Sequence, residues 1–212
     1  MKTFKTLDYF DISTFSHKGI FNEAFQVWEV LSQLLVYINA LFASGKIKGN
    51  YSKNVFIGEG AKIESAVEIL GPAIIGANCH IGHASFIREF CLLGDNVSLG
   101  HGVEVKNSIL LNNAKLAHLN YVGDSIIGGN VNLAGGAKIA NYRLDKKTVT
   151  VRLNDEKIDT KLNKFGAVVG DFSNIGVNAV LNPGTILGKH TVVYPLKNVL
   201  GVHKDGEIIS SF

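Results

Sequence analysis

Arg88 and Lys106 stand eighteen residues apart, and each directly follows an aliphatic residue, Ile87 and Val105. At comparable places elsewhere the residue after the aliphatic is Gly58, Gly76, Gly82, Gly94 or Gly100, so two cations fill positions that glycine otherwise holds. Positive charges held side by side repel, and folding gains nothing from the arrangement. A phosphate does gain, because adjacent cations donate strong charge-assisted hydrogen bonds to it. Spacing alone equally admits two ordinary solvated side chains. His118 follows Lys106 by twelve residues, within Lys115-Leu116-Ala117-His118-Leu119-Asn120-Tyr121. Imidazole suits proton transfer near neutral pH, although a lone surface histidine is more often simply hydrated.

The elements that must position these residues repeat every six positions. Ile57, Ile63, Ile69, Ile75, Ile81, Ile87, Leu93, Leu99, Val105 and Leu111 form the series, with Ala117 closing it. Four residues after each comes a small or β-branched residue: Ala61, Val67, Ala73, Cys79, Ser85, Cys91, Val97, Val103 and Ile109. A period of six fits neither a helix nor a simple alternating strand, but it fits a coil with three flat faces. The expected fold is an all-β solenoid, a left-handed parallel β-helix of hexapeptide repeats, with glycine taking the backbone shape of tight corners. The pattern slips between Ala117 and Ile127, resumes at Ile127, Leu133 and Ile139, and returns after an insert at Val169, Ile175, Leu181, Leu187 and Val193. That makes about seven coils, each stabilised by stacking on its neighbours.

Eighteen residues is then one coil, so Arg88 and Lys106 should share a corner about 4.8 Å apart. Twelve residues is two faces onward, which puts His118 on a different edge. One subunit could not easily bring the three together, whereas a three-fold packing of prisms could, so the expected assembly is a homotrimer.

Residues 1–50 read as an N-terminal extension. Its helix-spaced positions Phe25, Trp28, Leu31, Leu35, Ile38, Leu41 and Phe42 predict a helix over about Asn22 to Phe42 that covers the open first coil. Residues 51–200 are the β-helix, interrupted by an insert at about 143–166, where Arg143 to Lys164 reads as a protruding hairpin. Residues 201–212 form a tail that adds at most one short strand.

Composition narrows the function. With 46% hydrophobic and 18% charged residues the chain is an ordinary globular protein. A net charge of +3 from dispersed Lys and Arg is too mild to indicate nucleic acid, yet suits a small anionic substrate. Cys79 and Cys91 match buried thiols in a reducing compartment, not a disulfide framework or a metal-type spacing. The N-terminus lacks a signal-peptide pattern, and Trp28 to Phe42 is too short and too interrupted by Glu29, Ser32, Gln33 and Asn39 to span a bilayer. A cytoplasmic protein without membrane contact is expected.

The stretches Val103-Glu104-Val105-Lys106-Asn107-Ser108, Ala117-His118-Leu119-Asn120-Tyr121-Val122-Gly123-Asp124, Ile127-Gly128-Gly129-Asn130-Val131-Asn132 and Ala140-Asn141-Tyr142 resemble the C-terminal acetyltransferase domain of the bifunctional enzyme that makes UDP-N-acetylglucosamine, in its archaeal type. The likeness covers about residues 80 to 200, and its His-Leu-x-Tyr-x-Gly-Asp core is quite specific. The resemblance implies acetyl transfer from acetyl-CoA to the amine of a hexosamine 1-phosphate, glucosamine 1-phosphate by default. It implies His118 as general base and Arg88 and Lys106 as phosphate ligands. Tyr121 and Asn132 would contact the sugar, while Asn141 would orient the acceptor or the thioester carbonyl with Tyr142 beside it. No metal is implied. The chain departs from the family at Arg88-Glu89-Phe90, where Arg-Pro-Gly is usual, and at Ala134-Gly135-Gly136-Ala137, where Gly-Ala-Gly-Thr is usual. Only some 50 residues precede the solenoid, without a Gly-rich nucleotide loop, so synthesis of a nucleotide sugar is not expected.

Two rival readings remain. His83 and His101, one coil apart, could ligate a metal as in hydratases resembling the γ-type carbonic anhydrases, although that family's histidine pattern is not reproduced. Alternatively the chain is a non-catalytic trimeric subunit that binds a sugar phosphate or serves as a scaffold.

Overall fold

A computed structural model describes residues 3–52 and 54–210. Three parallel sheets of eight, eight and seven strands, here faces A, B and C, wind into seven full coils and the A and B faces of an eighth. This is the left-handed parallel β-helix that the six-residue period predicts. The chain returns to face A after eighteen residues, so that Val55–Ile57 pairs with Ala73–Ile75 and that strand with Cys91–Leu93. Ile75, Ile81, Ile87, Leu93, Leu99 and Val105 point inward and are fully buried, with Cys79, Cys91, Val97 and Val103 filling the corners beside them.

The glycines that follow the aliphatic residues are not where the corner backbone turns left-handed. That conformation falls two residues later, at Asn78 (φ 54°), Asn96 (φ 58°) or Gly102 (φ 64°), and asparagine tolerates it better than most residues. The glycines serve close stacking instead. A Cβ on Gly58 would lie 2.5 Å from the Ala77 nitrogen, and one on Gly76 would lie 2.5 Å from the Gly94 carbonyl carbon, each in the next coil.

Two coils are one residue short, at the corners after Lys106 and after Gly123. Ile109 and Leu110 pair with Leu92 and Leu93, and Ile126 and Ile127 pair with Ile109 and Leu110. Leu110, Leu116 and Val122 therefore fill the core in place of the expected Leu111 and Ala117, while Ile109 and Leu111 face outward.

That outward side of face A is an apolar stripe. Ile74, Leu92, Ile109, Ile126, Val168 and Ile186 alternate with the inward residues and are buried under a second layer. Phe4, Phe10, Phe15, Phe21, Trp28, Leu34 and Ile38 of the N-terminal segment supply most of that layer. The helix runs Val30–Ala43, lies against the Cys91–Leu93 strand and does not cap the first coil, where Ile57 and Ile63 stay only partly buried. Phe25 and Leu35, expected in its core face, are exposed, and Leu34 is buried instead. The insert does form a hairpin, Thr150–Leu153 against Glu156–Asp159. It lies down on face A through Val149, Val151 and Ile158 instead of protruding. Past residue 200, Val202–His203 and Ile208–Ile209 extend faces A and B, two strands where one was expected.

Candidate active site

The edge between faces C and A carries most of the nominated residues. Gly123 is in register with Lys106, and the Arg88 amide donates to the Val105 carbonyl, so Arg88, Lys106 and Gly123 form one column along this edge. Both short corners lie here, and each is closed in the same way. Ser108 Oγ donates to the Lys106 carbonyl and Ser125 Oγ to the Gly123 carbonyl, both at 2.7 Å. A buried hydroxyl thus ties the tightened turn to the carbonyl two residues before it.

Neither cation is bare. Arg88 Nη1 lies 3.1 Å from Glu104 Oε1, and Lys106 Nζ lies 3.4 Å from Asp124 Oδ2. These carboxylates offset the repulsion expected between the two cations. Arg88 uses one of its five N–H donors in this way and keeps others for a ligand. Asp124, which the sequence reading gave no role, has a side chain only 5% exposed. Its carboxylate accepts Asn107 Nδ2 at 2.8 Å and also Asn141 Nδ2.

The third member of the column is empty by design of the sequence. A Cβ on Gly123 would lie 2.5 Å from the Tyr121 hydroxyl and 2.6 Å from Asn141 Nδ2. The missing side chain lets these two groups close over the backbone beside Lys106. Burial, followed by the charges of Asp124 and Glu104, raises the Tyr121 pKa, so its hydroxyl remains a neutral donor. Next along the edge, Tyr142 is half-exposed and lines a cleft of about 500 Å³ with Arg143, Thr150, Arg152, Asn182 and Leu200.

His118 occupies the B–C edge, not the C–A edge. The Leu119 amide donates to the His101 carbonyl and the Gly102 amide to the His83 carbonyl, so His83, His101 and His118 form a column one position beyond the Gly82 and Gly100 column. Counting twelve residues on from Lys106 would put His118 in the glycine column, and the structure sets it one residue beyond, because of the short corner after Lys106. The ring is exposed and makes no hydrogen bond among the described residues. Buried Asn120 holds the corner beneath it, its Nδ2 donating to the Ala134 carbonyl at 2.8 Å. Asn132 lies on face B, between Lys115 and Asn174, and is not brought to Tyr121. From His118 to the C–A edge the chain crosses the whole of face C, about 20 Å at most for six extended residues. Proton transfer needs about 3 Å.

His83 and His101 do stack, with rings 5.6 Å apart and 8° from parallel. Parallel faces direct the ring nitrogens side by side instead of converging them. Among the described residues no three His, Cys, Asp or Glu side chains are placed to hold a metal.

Residues 69–201 match the family model described as the GMPPB C-terminal domain. A bifunctional sugar-1-phosphate nucleotidylyltransferase/acetyltransferase from Sulfurisphaera tokodaii is 39% identical over 150 residues, covering 71% of this chain and 36% of that protein. The bifunctional protein GlmU of Methanococcus vannielii is 35% identical over 179 residues, covering 82% of this chain and 43% of that protein. The chain spans less than half the length of these relatives. Among solved structures, the acetyltransferase domain of PglB from Neisseria gonorrhoeae in complex with acetyl coenzyme A aligns over 83% of this chain and 62% of that one, at 11% identity and a TM-score of 0.30.

Proposed function

Since the chain belongs to the GMPPB C-terminal domain family, and its relatives include proteins named as acetyltransferases, we propose that it moves the acetyl group of acetyl-CoA onto the 2-amine of a hexosamine 1-phosphate, glucosamine 1-phosphate by default. The observation that carries this reading is the C–A column, where two cations stand beside a neutral phenol and an amide that meet over Gly123. The phosphate lies on Arg88 and Lys106, spending remote binding energy on orientation. The sugar lies against Tyr121, and the amine reaches Asn141 with Tyr142 alongside.

The working unit is a homotrimer. Face A is covered by the chain's own second layer, so copies meet through the other sides of the prism. A neighbouring copy's B–C edge then brings His118 and Asn132 to this copy's C–A edge. His118 takes the proton that the amine loses as its nitrogen bonds to the thioester carbon, and coenzyme A leaves as the carbon–sulfur bond breaks. Coenzyme A runs beside the later coils, Val169 to Pro195, toward the Tyr142 cleft. The insert Arg143 to Lys164 holds seven Lys and Arg against four Asp and Glu, a surplus equal to the whole chain's +3, which suits a polyphosphorylated ligand. Two buried free thiols fit a reducing cytoplasm, and no helix among the described residues is long and apolar enough to cross a membrane.

A second reading has one observation in its favour: both cations already hold carboxylates of their own chain, as in a subunit that has given up catalysis for binding or scaffolding. Turnover of acetyl-CoA with glucosamine 1-phosphate and galactosamine 1-phosphate, with mass by light scattering, separates the two. Turnover by a trimer supports the transferase. Binding without turnover moves the chain to the second reading.

A further inference from the structure

Resting on the transferase reading, we propose that Asp124 is a positioning residue that fixes both the orientation of the Asn141 amide and the place of the Lys106 ammonium. Its carboxylate is nearly buried and receives Lys106 Nζ, Asn107 Nδ2 and Asn141 Nδ2. Its own backbone is pinned on both sides, the amide donating to the Lys106 carbonyl at 2.9 Å and the carbonyl accepting from the Gly166 amide at 2.8 Å. Such a carboxylate has little freedom to follow its partners, so the partners follow it.

The consequence for Asn141 is specific. A terminal amide can turn over and present either its oxygen or its nitrogen, and the two ends do opposite work. An ionised carboxylate only accepts, so the end facing Asp124 is Nδ2 and the end left for a ligand is Oδ1. Asn141 therefore accepts from the attacking amine, whose N–H groups grow more acidic as the new bond forms. It does not donate to the thioester oxygen. For Lys106 the consequence is a compromise, since the charge that binds phosphate is shared with a carboxylate a few ångströms away.

Asp124→Asn separates the two effects. The amide of Asn141 is no longer held one way round, and a misplacement of about 1 Å near the reacting atoms costs on the order of 10²-fold in rate. A fall in kcat of about 10- to 100-fold is expected. Lys106 loses its counter-ion, so KM for glucosamine 1-phosphate should fall by about three- to tenfold. Asp124→Glu keeps the charge and should recover much of the lost kcat, which also covers the case in which Asp124→Asn folds poorly by melting temperature. In an Asn141→Ala background Asp124→Asn should change kcat by less than about threefold, because the residue it acts through is gone.

If the kcat losses multiply in the double variant, or if kcat and acceptor affinity fall together with melting temperature in both Asp124 variants, Asp124 is only structural and the inference is overturned. Wild-type protein that turns over none of the amino-sugar phosphates sinks the transferase reading and this inference with it. An active wild type with independent losses sinks this inference alone.

Discussion

Replacing Lys106 with alanine removes two interactions at once, and their sizes can be worked out separately. The first is the contact with phosphate that the proposed function assigns to it. A charge-assisted hydrogen bond is worth about 1.5–3 kcal/mol, which raises KM for glucosamine 1-phosphate about 10- to 150-fold and leaves KM for acetyl-CoA within about a factor of two. The second is the counter-ion of Asp124. Breaking a fully buried ion pair costs about 3–5 kcal/mol, but the Lys106 side chain is 19% exposed and the carboxylate keeps two amide donors. A loss of about 1–3 kcal/mol is therefore expected, or about 2–12 °C in melting temperature for a chain of this size. The double variant Lys106→Met, Asp124→Asn leaves no orphaned charge. Its melting temperature should return to near the wild-type value, while calorimetry should still find weak binding of glucosamine 1-phosphate. Recovery of affinity together with stability would refute a phosphate-binding role for Lys106, because its effect would then have come from the fold.

His118→Ala should lower kcat by about 10²–10⁴-fold, as for the general base proposed above, and leave melting temperature and the mass in solution unchanged, because the ring is exposed; near-normal turnover would remove His118 from the chemistry. Burial pushes the thiols of Cys79 and Cys91 up to about 11 and about 12, so folded protein at pH 8 should resist iodoacetamide, while protein in denaturant should take up two labels per chain by mass spectrometry. Rapid labelling of the folded protein would show that the coils open. In the insert, Arg143 and Lys161 hold Asp145 and Asp159 down at about 2. These folded-state values lie below the unfolded ones, so the contribution is complete above about pH 4 and is lost as the pH falls through 2. Wild-type melting temperature should accordingly drop more between pH 5 and pH 2 than that of the Asp145→Asn, Asp159→Asn variant, and equal drops would deny these pairs any stabilising role.

The solenoid was legible because its signal is periodic and every coil repeats it, so Ile57 to Val105 betray the fold without help from any one residue. The covering layer was less so, although a sign was present. On face A the residue before the inward aliphatic is itself apolar in each of the first coils, at Phe56, Ile74 and Leu92. A single-faced strand would have shown a polar residue there, and the doubled run means that something lies on top. What lies on top depends on how residues 4–43 pack, which no local pattern records. The column of Arg88 and Lys106 followed from counting, and counting failed at His118 because the corner after Lys106 had lost a residue. Asp124 carried no periodic mark. Asn107 and Lys106 converge on it from the coil before and Asn141 from the coil after, and that convergence exists only once the coils are stacked.

The layer over face A also changes how the molecule comes apart. A bare solenoid is nearly one-dimensional, since each coil touches only its neighbours and can fray from either end independently of the rest. Here the Asp11 amide donates to Asp171 Oδ2 at 2.6 Å, and Lys189 Nζ donates to the Leu7 carbonyl at 3.1 Å. Trp28 also packs against Phe165, with ring centroids 5.9 Å apart. The first forty residues are thereby laced to coils that lie well over a hundred positions downstream. Such links raise the mean sequence separation of contacts, which slows folding, and they make the melting of distant coils a shared event instead of a local one.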